Sequence, residues 1–328
     1  MTPRERIQSV LNGTTPDRLP FAFWYHFRGE SWFPAQLYPE YRAPASEAVL
    51  DAYVEGMTTA EHEFWRRYQP DLLKVMHDIP YEVSEELTTI RSPNDWAQLP
   101  PLSPQSRHFG AQLQVLRNLR ALVPLEVPII ETVFNPFYYA NKLSEGRLLA
   151  HLAEEPDAVH QGLKTLYANL VDYALAVCEV CDGVYYAVNG ISVDTASRAL
   201  YEEHFLGYDR AFLEAVSGRG LVVLHLHGYG ELYADLLADA PASLVCWSDR
   251  SCTLSLPDGA RLFGRAVMGG LNENELPNLC RERVHQHVND AIDQMRGVPF
   301  VMAPGCSVPT HINPEVLIAI REAVASAR

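Results

Sequence analysis

LVVLHLHG, residues 221–228, opens with four apolar residues in a row, two of them β-branched, and closes on a glycine. An apolar run without alternation is what a parallel strand covered on both faces shows. Seven more runs of this kind occur: LPFAFW (19–24), DLLKVM (71–76), VPIIETV (127–133), DGVYYAV (182–188), SLVCWS (243–248), RAVMGGL (265–271) and FVMAP (300–304). Helical periodicity fills the intervals. In 157–180, Leu163, Leu166, Leu170, Ala174 and Val177 recur at spacings of three and four, one face of a helix. Strands alternating with helices predict a parallel sheet, and eight such units predict a closed (β/α)8 TIM barrel, one domain over 1–328. A doubly wound open sheet is the rival arrangement. The chain begins with a helix of its own: Thr2 caps it, Pro3 suits its first turn, Glu5 completes a capping box and Gly13 ends it. Its stripe of Ile7, Val10 and Leu11 suits a lid on the bottom of the barrel.

Composition excludes several classes. The 328 residues are 48% hydrophobic and 20% charged, ordinary for a large soluble core. No apolar stretch reaches the length of a membrane span, and MTPRERIQSVLNG lacks the apolar block of a signal peptide. Six cysteines in so long a chain predict reduced thiols and a cytoplasmic location. A net charge of −15 argues against nucleic acid, whose phosphates demand a basic face. No phosphate-cradling glycine loop and no G-x-S-x-G elbow is present.

In a barrel of this type the chemistry sits on the loops after the strands. Those positions hold His26 and Arg28, His77 and Asp78, Asn135, Asn189, His225 and His227, Asp249, Asn272, and Cys306 in PGCSVP. Asn and Asp are ordinary turn formers there; the histidines and the cysteine are not. His225 and His227 stand two apart on a strand, so both point to one side. H-x-H alone is a weak signal, and a lone cysteine is more often a buried structural thiol. With Cys306 on the facing rim, two imidazoles and one thiolate make a catalytic zinc composition with a fourth position open. Asp249, Glu131 and Asn189 are the nearest candidates by strand order to orient the imidazoles. Trp24, Tyr25, Trp32, Phe33, Phe137, Tyr138 and Tyr139 could form an apolar pocket at the mouth, although most aromatics are simply core.

Five segments together resemble the uroporphyrinogen decarboxylase superfamily: TPRERIQSVLNGTTPDRLP (2–20), 190–216, LVVLHLHG (221–228), GGLNENEL (269–276) and APGCSVPTHINPE (303–315). The resemblance runs in order over nearly the whole chain and implies the same barrel. The superfamily's true decarboxylases carry M-R-Q-A-G-R-x-x-P-E-Y after the first strand, its arginines facing the acidic arms of a porphyrinogen. Here that stretch is WYHFRGESWFPAQLYPEYR (24–42), which keeps Pro39, Glu40 and Tyr41 but only Arg28 of the arginines. Gly305, Cys306 and Ser307 stand where decarboxylases have G-H-G. The branch of methylcobalamin:coenzyme M methyltransferase-like zinc enzymes has H-x-C on the fifth strand and a cysteine after the eighth. His225 and Cys306 match two of those ligands, and His227 replaces the third, a cysteine. One thiolate instead of two leaves the metal more positive and a stronger Lewis acid.

The resemblance implies a zinc-dependent methyltransferase that moves a methyl group between a corrinoid (methylcobalamin) and a small thiol or methoxylated compound. A corrinoid-binding D-x-H-x-x-G signature is absent, so the corrinoid is expected on a partner protein. In this reading Asp78, Asp249 and Arg28 are candidate catalytic residues, and Asn189 and Tyr139 candidate cofactor contacts. Two alternatives stand beside it. One is a decarboxylase of uroporphyrinogen or a similar acid, using Asp78, Arg28 and Tyr139 without metal. The other is a non-catalytic barrel that binds a corrinoid or small ligand.

Overall fold

The computed structural model describes residues 1–38, 43–87 and 89–326; Pro39, Glu40 and Tyr41 lie outside them. Seven of the apolar runs form strands: β1 (Leu73–Val75), β2 (Ile129–Phe134), β3 (Gly183–Val188), β4 (Leu221–Leu226), β5 (Leu244–Trp247), β6 (Val267–Leu271) and β7 (Val301–Pro304). They make one parallel sheet whose order is the chain order. Helices connect them, among them Arg107–Leu122 between β1 and β2 and Pro156–Val180 between β2 and β3. The second buries Leu163, Leu166, Leu170, Ala174 and Val177, the face its periodicity predicts. No helix among the described residues is long and apolar enough to cross a membrane.

The sheet curls on itself. Trp24, beyond the β1 edge, packs edge-on against Tyr185 of β3 with ring centroids 5.4 Å apart. On β5 the Cys246 thiol lies 3.6 Å from the Tyr185 hydroxyl and 3.6 Å from the Gly305 carbonyl beyond β7. A flat sheet would hold such side chains far apart. Alternation then sorts each strand. Lys74 and Met76, Thr132 and Phe134, Tyr185 and Ala187, and His225 and His227 line one interior space. Their neighbours in sequence face the helices: Glu131, for example, reaches Gln112 and Tyr173 in the surrounding layer.

The eighth strand expected at 19–24 is not a regular one, so the ladder is a seven-stranded, TIM-like curl and not a closed eight-stranded barrel. Phe21 makes a single isolated parallel bridge to Met302. The Ala22 N–H donates to the Met302 carbonyl and the Met302 N–H to that of Pro20, each at 2.9 Å. Toward β1 the Asp71 N–H donates to the Phe21 carbonyl at 2.9 Å. The cause is chemical. Pro20 has no N–H to donate, and Phe21 donates its own to the Asp71 carboxylate (3.1 Å) instead of to a neighbouring strand.

That carboxylate clamps the seam. Asp71, 1% exposed, also accepts from Arg18 Nη1 and Nη2 (2.7 and 3.0 Å) and from Arg6 Nη1 (3.1 Å). Arg6 belongs to the opening helix, Pro3–Leu11, whose Thr2–Glu5 capping box forms as its sequence predicts. The helix is fixed to the amino ends of the strands: Arg4 donates to the Leu125 carbonyl and pairs with Asp182 just before β3.

Removing the buried carboxylate leaves two guanidinium groups and the Phe21 N–H without their common partner. Asp71→Ala should cost roughly 3–5 kcal/mol in urea unfolding, with Asp71→Asn losing clearly less because the amide oxygen still accepts. A loss under about 1 kcal/mol for the alanine variant would show that the seam does not depend on the clamp.

Candidate metal centre

His225 is the penultimate residue of β4 and His227 follows the end of the strand, with the same parity. Both imidazoles therefore point into the curl, His225 almost fully buried. Two glycines set the approach. A Cβ on Gly228 (φ +149°) would stand 2.0 Å from the Ser192 hydroxyl oxygen, so only glycine lets the chain turn away directly after His227. A Cβ on Gly305 would stand 2.2 Å from the Ser248 Cα, so the chain beyond β7 can pass close to β5 and deliver Cys306 inward. Glu273 holds that passage from below, accepting from the Gly305 N–H (3.2 Å) and the Ser248 hydroxyl (2.6 Å).

The result is a cluster. His225 Nε2 is 3.4 Å from His227 Nδ1, Cys306 Sγ is 3.8 Å from that same Nδ1, and the three donors all lie within 4.8 Å of one another. Among the described residues, no other set of three such donors sits close enough to share an ion. Donors at about 2.0–2.3 Å from a tetrahedral ion stand roughly 3.3–3.8 Å from each other, so spacing and chemistry both suit a zinc-type ion. The open side faces a cavity of about 210 Å³, walled by Trp24, Lys74, Tyr138, Tyr185 and Asn189.

Electrostatics favour the ligand forms. Burial holds the pKa of His225 and His227 below the ordinary histidine value, which favours the neutral ring, although the Cys306 thiolate pulls His225 the other way. Burial pushes the Cys306 thiol up, but hydrogen bonding and attraction to His225 outweigh it and leave the thiol below its usual range. The other buried or half-buried thiols go the opposite way: burial carries Cys178 up to about 11 and Cys252 up to about 12, and Cys181 and Cys246 higher still.

The remaining sequence candidates are placed apart. The expectation that Asp249, Glu131 and Asn189 orient the imidazoles fails. Glu131 faces outward, accepting from Gln112 (2.9 Å) and Tyr173 (3.0 Å) and meeting His77 Nδ1 at 2.8 Å. Asp249 accepts from the Gly270 N–H (2.9 Å) beside Arg250, and burial raises its pKa to about 6. Asn189 does wall the cavity but donates to the Ala187 carbonyl (3.4 Å). The Nδ1 of His225 has no protein hydrogen-bond partner. Asp78 is fully buried, meets His26 Nδ1 at 2.6 Å and accepts from the Phe27 N–H at 2.7 Å, while Arg28 donates to its carbonyl at 3.0 Å. It reaches the cavity only through His26, which lines it. Arg28 and Tyr139 line a separate, smaller pocket with His77 and Tyr81. Of the mouth aromatics named from sequence, Trp24 and Tyr138 wall the cavity, whereas Phe33 and Phe137 are core.

Two interior residues stand outside the sequence candidates, Glu273 and Lys74. Glu273, in the loop after β6, carried no signal beyond its place at a strand end. Lys74 did: a charge inside the apolar run DLLKVM is the anomaly that marks it. It is 2% exposed, its ammonium 4.8 Å from the Trp24 ring centroid and 4.4 Å from that of Tyr185.

Comparison with known proteins agrees on family and fold. The family described as Uroporphyrinogen decarboxylase (URO-D) matches residues 2–327. A methyltransferase from Methanosarcina mazei superposes with a TM-score of 0.78 at 16% identity, covering 99% of this chain and 98% of its own. A putative vitamin-B12-independent methionine synthase from Listeria monocytogenes superposes at 0.60 with 10% identity, covering 94% and 98%. A B12-independent methionine synthase from a Shewanella species superposes at 0.59 with 13% identity, covering 96% and 98%. At these identities the structures show a shared fold. No curated protein matches the sequence.

The depressed thiol has a measurable consequence. In chelator-treated protein carrying Cys280→Ser, which removes the exposed cysteine, iodoacetamide should modify Cys306 ahead of Cys178 and Cys252 at pH 7. Because its folded pKa is lowered, the thiolate persists as pH falls, and the rate should reach half its maximum below the ~8.5 of a free cysteine. Peptide mass spectrometry showing Cys306 as the slowest thiol at pH 7 would contradict this electrostatic account.

Proposed function

Because the chain belongs to the uroporphyrinogen decarboxylase family, we propose that it is a zinc-dependent methyltransferase of a corrinoid system, with His225, His227 and Cys306 as the zinc ligands. The observation that carries the reading is the convergence of those three donors beside a small, aromatic-walled cavity. Zinc bound there would polarise a substrate sulfur or oxygen, lowering the cost of its charge change as a methyl group moves between it and a corrinoid.

The chain's own residues do the rest. Two imidazoles that burial shifts toward the neutral form and a thiol that His225 acidifies lower the protonation cost of presenting lone pairs to a metal. Trp24, Tyr138 and Tyr185 exclude water from the side where the substrate lies. Asn189 offers its amide at the rim. Asp78 acts as a positioning residue, holding His26 against the cavity through the 2.6 Å contact and fixing the Arg28 loop. Asp249 holds the chain at Gly270, one strand away. Arg28 and Tyr139, in the neighbouring pocket, are placed to meet the part of a cofactor that extends past the cavity. The acceptor is a small thiol or a methoxylated compound, and the corrinoid arrives on a partner protein, since the chain has no D-x-H-x-x-G stretch. This work takes place in a soluble, cytoplasmic enzyme.

The decarboxylase alternative needs Asp78 at the substrate, yet its carboxylate is engaged by His26 and the Phe27 N–H. Metal analysis decides among the readings. Protein purified without chelator should hold close to one zinc per chain, and Cys306→Ala and His227→Ala should each lose most of it while keeping a cooperative thermal transition. Wild-type protein should also demethylate methylcobalamin when a small thiol is supplied, followed by corrinoid absorbance. Equal zinc in all three proteins would place any metal elsewhere and end this mechanism.

A further inference from the structure

The cavity beside the three donors and the smaller pocket of Arg28 and Tyr139 share one pair of rings. Phe134, the last residue of β2, and Tyr138 line both spaces and stack with centroids 4.1 Å apart, 18° from parallel. Asn135, between them in sequence, fixes the pair. Its side chain uses all four of its hydrogen-bonding capacities. Oδ1 accepts from the Tyr138 N–H (3.1 Å) and the Asn189 N–H (3.2 Å), while Nδ2 donates to the Asn189 carbonyl (3.0 Å) and to the Asp209 carboxylate (3.2 Å to either oxygen). One side chain thus ties the end of β2, the start of the helix Pro136–Leu143 and the chain just past β3.

Asp209 stands behind this joint, in the helix Leu206–Val216, fully buried. Its other partners are the hydroxyls of Tyr186 (2.6 Å) and Tyr201 (2.7 Å). All three partners are neutral, and Arg210, next in the chain, turns to Asp239 and the Leu236 carbonyl. A buried charge among neutral donors is costly. Burial raises the carboxyl to about 6, so the ionised form still prevails at neutral pH. An ionised carboxylate only accepts. It therefore obliges Asn135 to turn its NH2 group toward the helix, which leaves Oδ1 for the backbone N–H groups of Tyr138 and Asn189, two residues of the cavity wall. A neutral side chain at 209 would impose no such choice.

We propose that Asp209 is a positioning residue of this site: through Asn135 it holds the Phe134–Tyr138 pair as a partition that keeps a small acceptor out of the pocket of Arg28 and Tyr139. The partition rests on the function proposed above for what meets the three donors; the positioning of the wall does not. With the rings in place, a longer apolar acceptor leaves its added methylene groups in water. Without them, the same groups would enter the second pocket and bind more tightly.

Two measurements test this. In chelator-treated protein, the Tyr138 and Asn189 amides should exchange hydrogen at least tenfold faster in Asp209→Leu than in wild type, relative to the amides of Leu224 and Val245 in β4 and β5. Asp209→Asn, which keeps an oxygen for Asn135, should recover most of the difference. In cobalt(II)-loaded protein, 1-propanethiol and 1-heptanethiol are titrated and followed by sulfur-to-cobalt absorbance. Wild type should bind the two within about threefold, whereas Tyr138→Ala should favour the longer thiol by about tenfold or more, each buried methylene being worth about fourfold. Asp209→Leu should move in the same direction. An unchanged exchange ratio in Asp209→Leu would overturn the positioning role, and a wild type that already prefers heptanethiol about tenfold would overturn the partition. If neither thiol yields the cobalt–sulfur band while the exchange ratio responds, the metal reading and the partition fall together and the positioning by Asp209 stands. Asn135→Ala replaces Asp209→Leu should the leucine protein lose its cooperative melt.

Discussion

Alternation of side chains along a strand is the constraint on which the whole site depends. Once the sheet curls, each strand offers its interior every second residue and nothing else. His225 and His227 share a parity, as do Lys74 and Met76, Thr132 and Phe134, and Tyr185 and Ala187, and these pairs build a single chamber. The opposite parity makes a second, separate polar layer, in which Glu131 bonds to Gln112, Tyr173 and His77 between sheet and helices. Both layers are polar and buried, yet they are insulated from each other by the strand backbone itself.

This explains what was legible beforehand and what was not. Eight apolar runs marked the sheet, and seven became strands because parallel pairing needs only a backbone with both hydrogen-bonding groups free. The run at 19–24 has the right side chains but the wrong backbone: Pro20 lacks a donor and Phe21 gives its own to Asp71. Hydrophobicity cannot register that difference, although the proline could have. The three metal-type donors were legible because H-x-H fixes a shared side and a strand-end cysteine can face it. The supporting residues were not, since strand order places a residue near the site without fixing the side to which it points. Glu131 is adjacent to inward-facing Thr132 and for that reason points away. Lys74 was legible in principle, as a charge in an apolar run, and only its position within the ring gives it meaning.

The site also illustrates how like groups under the same burial penalty can end with opposite shifts. Five cysteines are at least partly buried, and four of them are driven toward the neutral thiol chiefly by desolvation. Cys306 differs because its sulfur has an imidazole partner at the end of a passage that Gly305 and Glu273 keep in place. Local geometry, not exposure alone, decides which of these thiols is held below its ordinary pKa.

The seam has a consequence for how the chain reaches this state. Every neighbouring pair of regular strands is also consecutive in sequence, so the sheet can grow from β1 to β7 by successive short closures. The Phe21–Met302 bridge is the exception, joining opposite ends of the chain. On a ribosome, Phe21, Phe23 and Trp24 would emerge first and find their last neighbour last. During that interval Asp71 and its arginines, together with Phe23 packed on Phe64 and Tyr68, hold the apolar segment to the nascent β1 edge. The clamp is thus a temporal device as much as a stabilising one: it shelters the earliest-made part of the core until the latest-made part arrives.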